Sequence, residues 1–161
     1  MIELSRAAYD EIVYQAYDGD DQEVCGLLAG AYDQDHTVVT DAYPAENAAE
    51  TPEIRYAIDP EEQFELTERI EDAGREVAGF YHSHPAGPTQ PSETDADRAT
   101  WPDFSYVIVA LARRRRDVRT RRGPGERGLD ARGGRQRQSV TLISGSSAVP
   151  SIEQEAVYST S

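Results

Sequence analysis

His82-Ser83-His84-Pro85-Ala86-Gly87-Pro88-Thr89-Gln90-Pro91-Ser92-Glu93-Thr94-Asp95 follows the apolar run Val77-Ala78-Gly79-Phe80-Tyr81 and consists of two histidines, a Pro/Gly-rich loop and a helix-start signal. In a strand, residues i and i+2 project from one face about 6.6 Å apart. Both imidazoles can therefore turn toward one ion with Zn–N bonds of about 2.0–2.1 Å. Pro85 ends the strand. Ser92 is placed to cap the next helix, which puts Asp95 in its first turn, where a carboxylate would fill a third coordination position. A fourth position left to water is the pattern of a catalytic zinc. The same residues also have a plainer reading. His-x-His beside a loop can be two polar residues at a strand end, and Ser92-x-x-Asp95 fits a capping box that satisfies helix N–H groups. Ser83 points to the opposite face from the histidines and is expected to be structural.

Far upstream, Glu23 opens the segment Glu23-Val24-Cys25-Gly26-Leu27-Leu28-Ala29-Gly30. Taken alone, an acid at the start of such a strand faces solvent. Taken with His82-Ser83-His84-Pro85 and Ser92-Glu93-Thr94-Asp95, the segment resembles the JAMM (MPN+) metalloprotease family. That family's pattern is a distant Glu followed by H-x-H-x10-D with a Ser inside, and all five positions are filled at unbroken spacing. The resemblance covers roughly residues 1–112. It implies an α/β MPN domain (JAB1/MPN-like, cytidine-deaminase-like) with a curved mixed sheet packed between helices. It also implies a single Zn2+ held by His82, His84 and Asp95, with Glu23 as general base and then acid, and Ser92 as hydrogen-bond donor to the oxyanion.

Within that family an acidic, minimal chain is similar to the archaeal desampylases. The implied reaction is zinc-dependent hydrolysis of the isopeptide between the C-terminal glycine of a ubiquitin-like small archaeal modifier protein and a target amine. Two alternatives stay open: trimming the C-terminus of a sulfur-carrier protein by the same chemistry, and a non-catalytic MPN scaffold. In such relatives a strand beside the active site pairs with the extended tail of the substrate, and the candidate here is residues 53–58.

The remaining elements follow from periodicity. Residues 5–17 predict a helix capped by Ser5, with Ala8, Ile12, Val13 and Ala16 on its buried face. Asp18-Gly19-Asp20-Asp21 breaks it. Residues 23–30 form a short apolar strand in which Cys25 reads as a small buried hydrophobe. Residues 37–43 pair with it through an acidic turn, where His36 is expected to be solvated, and residues 54–58 read as a third strand. Asp59-Pro60 starts a helix with Phe64, Leu66, Thr67 and Ile70 as its buried stripe, ended by Gly74. Residues 76–84 form the histidine-bearing strand. Residues 92–100 form a short helix, with Glu93 and Asp97 turned to capping or solvent and with Trp101 and Phe104 anchoring it. Residues 105–111 are the clearest buried strand. This order of helices and strands predicts an α/β fold.

Charge is unevenly spread. Of the 30 acids and 16 basic residues, which are all arginine, residues 1–112 hold 25 acids and 5 arginines, whereas residues 113–161 hold 5 acids and 11 arginines. An acidic, lysine-free body suits solubility in concentrated salt, where the Debye length shrinks to about 3 Å at 1 M, as expected of a salt-loving archaeon. Such a surface is a poor partner for nucleic acid or an anionic membrane. A single cysteine excludes an internal disulfide framework, and no apolar run reaches the ~18 residues of a membrane span. The polar N-terminus does not read as a signal peptide, so the cytoplasm is the expected compartment. Residues 113–150 form an Arg/Gly-rich segment that reads as a disordered arm, a basic nucleic-acid arm or an out-of-frame product, within which Ser139–Ser144 can still form a strand. Residues 151–161 read as an acidic C-terminal tail.

Overall fold

The computed structural model describes residues 2–33, 36–85 and 104–111, together with the backbone of 139–144 and 152–154. Seven strands form one mixed sheet: β1 (Ile2–Leu4), β2 (Cys25–Asp33), β3 (His36–Ala45), β4 (Glu76–His84), β5 (Ser105–Ala110), β6 (Ser139–Ser144) and β7 (Ile152–Gln154). Their order across the sheet is β1-β3-β2-β4-β5-β6-β7. The β1–β3 and β4–β5 pairs are parallel, and the others are antiparallel. The sheet therefore continues past residue 112, with β6 alongside β5 and β7 alongside β6. Residues 112–138 lie outside the described residues.

Helix α1 (Arg6–Asp18) has Ser5 as its N-cap, as its sequence signal predicts. The Ser5 hydroxyl accepts the Ala8 N–H at 3.1 Å and donates to the Thr40 carbonyl at 2.6 Å, so one side chain ends β1 and starts the helix. Ala8, Tyr9, Ile12, Val13 and Ala16 pack on Leu28, Val39, Ala78, Tyr81, Val107 and Val109. Burial of each large side chain here, such as Ile12 or Leu28, stabilises the fold by about 1.5–3 kcal/mol. β1 itself is too short to leave a periodic signal in the sequence.

Helix α2 (Pro60–Asp72) covers the opposite face, with Leu66 and Ile70 against Leu27 and Ala29. Asp59 caps it by accepting from Glu61 N–H at 2.9 Å, and Gly74, at φ 73°, turns the chain away in a left-handed conformation suited to glycine. Phe64, expected in the buried stripe, is 62% exposed. It lies two residues from Leu66, about 200° around the helix axis, and so on the far side from the sheet. Residues 54–58, expected as a strand, form no ladder. Residues 51–54 make a turn, with Ile54 N–H donating to Thr51 O at 3.2 Å. The Arg55 carbonyl and the Ala57 N–H are taken up by the Asn47 side chain rather than by a neighbouring strand.

A bulge in β4 sets the orientation of the site. Leu28 pairs with Gly79 and Ala29 with Val77, leaving Ala78 as the extra residue. Val77 and Phe80 therefore face α2, while Ala78 and Tyr81 face α1. Regular alternation from Phe80 carries His82 and His84 to the α2 face and Ser83 to the α1 face. Gly26 sits opposite Tyr81, where a Cβ would come within 2.6 Å of the tyrosine ring, so only glycine fits. The Tyr81 hydroxyl donates to Gln15 Oε1, tying α1 to β4. Among the described residues, no helix is long and apolar enough to cross a membrane.

Candidate metal centre

His82 and His84 lie at the C-terminal end of β4, after the apolar run Val77–Tyr81 and just before Pro85. Both are buried, 3% and 6% exposed. Their Nε2 atoms are 3.1 Å apart, and their rings, 4.9 Å between centroids, are tilted at 59°. Two nitrogens at that separation and at ordinary Zn–N distances subtend an angle of about 100° at a shared ion, close to tetrahedral. The imidazole pair therefore fits a zinc ion. Among the described residues no group of three metal-binding side chains converges. The third expected donor, Asp95, lies outside the described residues, as do Ser92 and Trp101.

Glu23 lies two residues before Cys25, whose register partner is His82. The backbone around it is held on three sides. Glu23 N–H donates to Pro52 O at 2.7 Å, and Asn47 Nδ2 donates to Glu23 O at 2.8 Å. Val24 N–H donates to the Ser83 hydroxyl and Ser83 N–H to Val24 O, each at 2.9 Å. Alternation back from Cys25 brings Glu23 to the face that carries the histidines. Glu23 is 7% exposed, rather than solvent-facing as an isolated acid at a strand start would be.

Cys25 shares this face but is chemically quiet. Burial pushes its thiol up to about 12, and the nearby carboxylates of Glu62 and Glu23 push in the same direction. A thiol held protonated is no nucleophile, which agrees with its reading as a buried hydrophobe. His36 opens β3, with its Nε2 3.3 Å from Glu3 Oε1 and its side chain 43% exposed. It stands apart from the β4 pair.

Two site residues escape sequence reading. Tyr56 stacks on His82, with ring centroids 4.4 Å apart and planes at 21°, and so braces the imidazole from the α2 side. Asn47 makes four hydrogen bonds that organise the loop carrying Tyr56. The only available signals were an Asn in a polar segment, a common loop-tying residue, and an isolated Tyr ahead of a helix cap.

Comparison with known proteins places this geometry in a family. The family model for prokaryotic homologs of the JAB domain matches residues 5–122. The chain is 44% identical to the desampylase of Haloferax volcanii over 113 residues, covering 68% of this chain and 80% of that protein. It is 39% identical to the CysO-cysteine peptidase of Mycobacterium tuberculosis over 88 residues, 55% of this chain and 58% of that protein. The solution structure of a protein from Desulfitobacterium hafniense superposes with a TM-score of 0.67 at 28% identity, covering 98% of this chain and 92% of the other. The mixed sheet between two helices, the paired histidines on β4 and these similarities lead to one assignment: the chain belongs to the prokaryotic JAB-domain (JAMM/MPN+) family of proteases.

Proposed function

We propose that the chain is a zinc-dependent isopeptidase that hydrolyses the bond between the C-terminal glycine of a ubiquitin-like small archaeal modifier protein and a target amine. The observation that carries this reading is the convergence of two buried imidazole nitrogens 3.1 Å apart, beside the start of β2, two residues after Glu23. Support for the substrate class comes from the desampylase of Haloferax volcanii and from a probable TtuB-protein conjugate cleaving protease of Thermus thermophilus, 32% identical over 87 residues.

In this reading His82, His84 and Asp95 would hold the Zn2+, which when bound would make water a competent nucleophile near neutral pH. Glu23 accepts a proton from the attacking water at its carboxylate and delivers it to the departing amine nitrogen. Ser92 donates a hydrogen bond to the oxyanion that develops on the scissile carbonyl. Tyr56, stacked on the His82 ring, would brace the imidazole. Residues 1–112 as the catalytic unit, followed by the Arg/Gly-rich segment, form part of the same proposal.

The test is elemental analysis of the purified chain together with cleavage of a modifier joined to a lysine side chain. Stoichiometric zinc in the wild type, lost in His82→Ala and Asp95→Ala along with cleavage, is the expected result. Full cleavage by chelated, metal-free protein would overturn the reading. A second reading, trimming of a sulfur-carrier tail, is favoured only by the likeness to the CysO-cysteine peptidase. A carrier extended by one residue, offered in the same assay, separates the two.

A further inference from the structure

Residues 46–57 lie outside the sheet, yet they touch the site twice. Pro52 O accepts the Glu23 N–H at 2.7 Å, and the Tyr56 ring stacks on His82. One side chain, that of Asn47, ties this segment to the site and to itself. The Asn47 amide nitrogen donates to Glu23 O at 2.8 Å and to Arg55 O at 2.9 Å, and its oxygen accepts from Ala49 N–H and Ala57 N–H, each at 3.1 Å. Both groups facing the nitrogen are carbonyls and both facing the oxygen are N–H donors, so only one amide orientation works. Two of the four bonds straddle Tyr56, reaching Arg55 before it and Ala57 after it. A third bond reaches the backbone of Glu23. Ala48 N–H to Ala57 O, at 2.8 Å, closes the neck of the loop.

We infer that Asn47 is a positioning residue that holds Glu23 and the Tyr56–His82 stack in one frame, so that the carboxylate and the imidazole keep a fixed relation. The inference rests on the role proposed for Glu23. The chemistry suggests a discriminating substitution. In Asn47→Asp the carboxylate keeps both acceptor bonds to the loop but turns lone pairs toward the carbonyls of Glu23 and Arg55. The bonds to Glu23 O and Arg55 O are thereby both lost, while those accepted from Ala49 N–H and Ala57 N–H remain. Displacement of a reacting group by as little as 1 Å can cost on the order of 10²-fold in rate.

The experiment uses the full chain with 13C-labelled histidine, of which there are three, so that each ring signal is assigned by substitution. Tyr56→Leu reports the ring-current shift that stacking imposes on His82. Ile12→Val, a methyl loss in the core under α1, is the control for a general loss of stability. Asn47→Asp is expected to move the His82 signal in the direction seen in Tyr56→Leu. It should also lower kcat tenfold to a hundredfold, with KM within twofold, on a modifier–lysine conjugate. Ile12→Val should leave both readouts unchanged. An Asn47→Asp chain with a wild-type His82 signal, or with wild-type kcat, would overturn the inference. If Asn47→Asp does not fold, Asn47→Ser, which retains one donor, is judged by the same two readouts. A wild-type chain that cleaves no conjugate would overturn the proposed function, whereas the His82 signal still decides whether Asn47 holds Tyr56 in place.

Discussion

Ser83 and Val24 bond to each other twice: the Ser83 hydroxyl accepts the Val24 N–H, and the Ser83 N–H donates to the Val24 carbonyl, both at 2.9 Å. The residue between the two histidines thus holds the residue after Glu23. It ties the start of β2 to the end of β4 on the face opposite the imidazoles, and it is fully buried.

Ser83→Ala leaves the Val24 N–H without its acceptor in an interior position. The expected cost is about 1–3 kcal/mol, the usual penalty for a stranded buried donor. A urea unfolding series comparing Ser83→Ala with the wild type measures it, and an unchanged midpoint would show that water replaces the hydroxyl.

Glu23→Gln preserves size and backbone contacts while removing the proton-accepting carboxylate. Turnover is expected to fall by about 10²–10⁴-fold, the range for loss of a general base, with bound metal unchanged. Single-turnover cleavage measured beside metal stoichiometry checks both halves. Retained activity would move the base elsewhere.

Burial pushes the Cys25 thiol up from its ordinary value of 9.0 to about 12 in the folded chain. The folded state therefore holds this proton more tightly than the unfolded chain does. The stability contributed by this group is fully present below pH 9 and is lost between pH 9 and 12, by up to about 1.4 kcal/mol per pH unit. Tyr81, also raised by burial, adds to the loss at the alkaline end. Cys25→Ala should flatten the slope of unfolding free energy against pH in that window. In the native chain at pH 8 the thiol should resist iodoacetamide.

The acidic body repels itself when screening is weak. Residues 1–112, with 25 acids and 5 arginines, should be most stable in molar salt and lose structure on dilution, as the Debye length grows from about 3 Å at 1 M to about 10 Å at 0.1 M. Circular dichroism across a potassium chloride series reads this directly. A flat response would remove the inference of salt adaptation.

Local rules made much of the fold legible. Ser5 and Asp59 are short polar side chains able to reach backbone N–H groups within three residues, so both helix starts could be read from composition. His82 and His84 share a face because strand alternation has a period of two. The apolar run Val107-Ile108-Val109-Ala110 in β5 signals burial on both faces, and all six residues of the strand are buried.

The remaining features depend on contacts between residues distant in the chain. Phe64 looks apolar enough to be buried, but the sheet took the Leu66–Ile70 side of α2, and a helix can bury only one stripe against one sheet. Residues 54–58 look β-prone, but the Asn47 side chain and the backbone of Ala48 and Thr51 take up their hydrogen bonds, and no ladder forms. Tyr56 reaches His82, and Ser83 reaches Val24, across 26 and 59 positions of chain. Periodicity reports which face of an element is apolar and which residue caps it. Which distant side chain arrives beside an imidazole is set by strand register, the Ala78 bulge and loop closure, and these are energies of the assembled sheet rather than of any single segment.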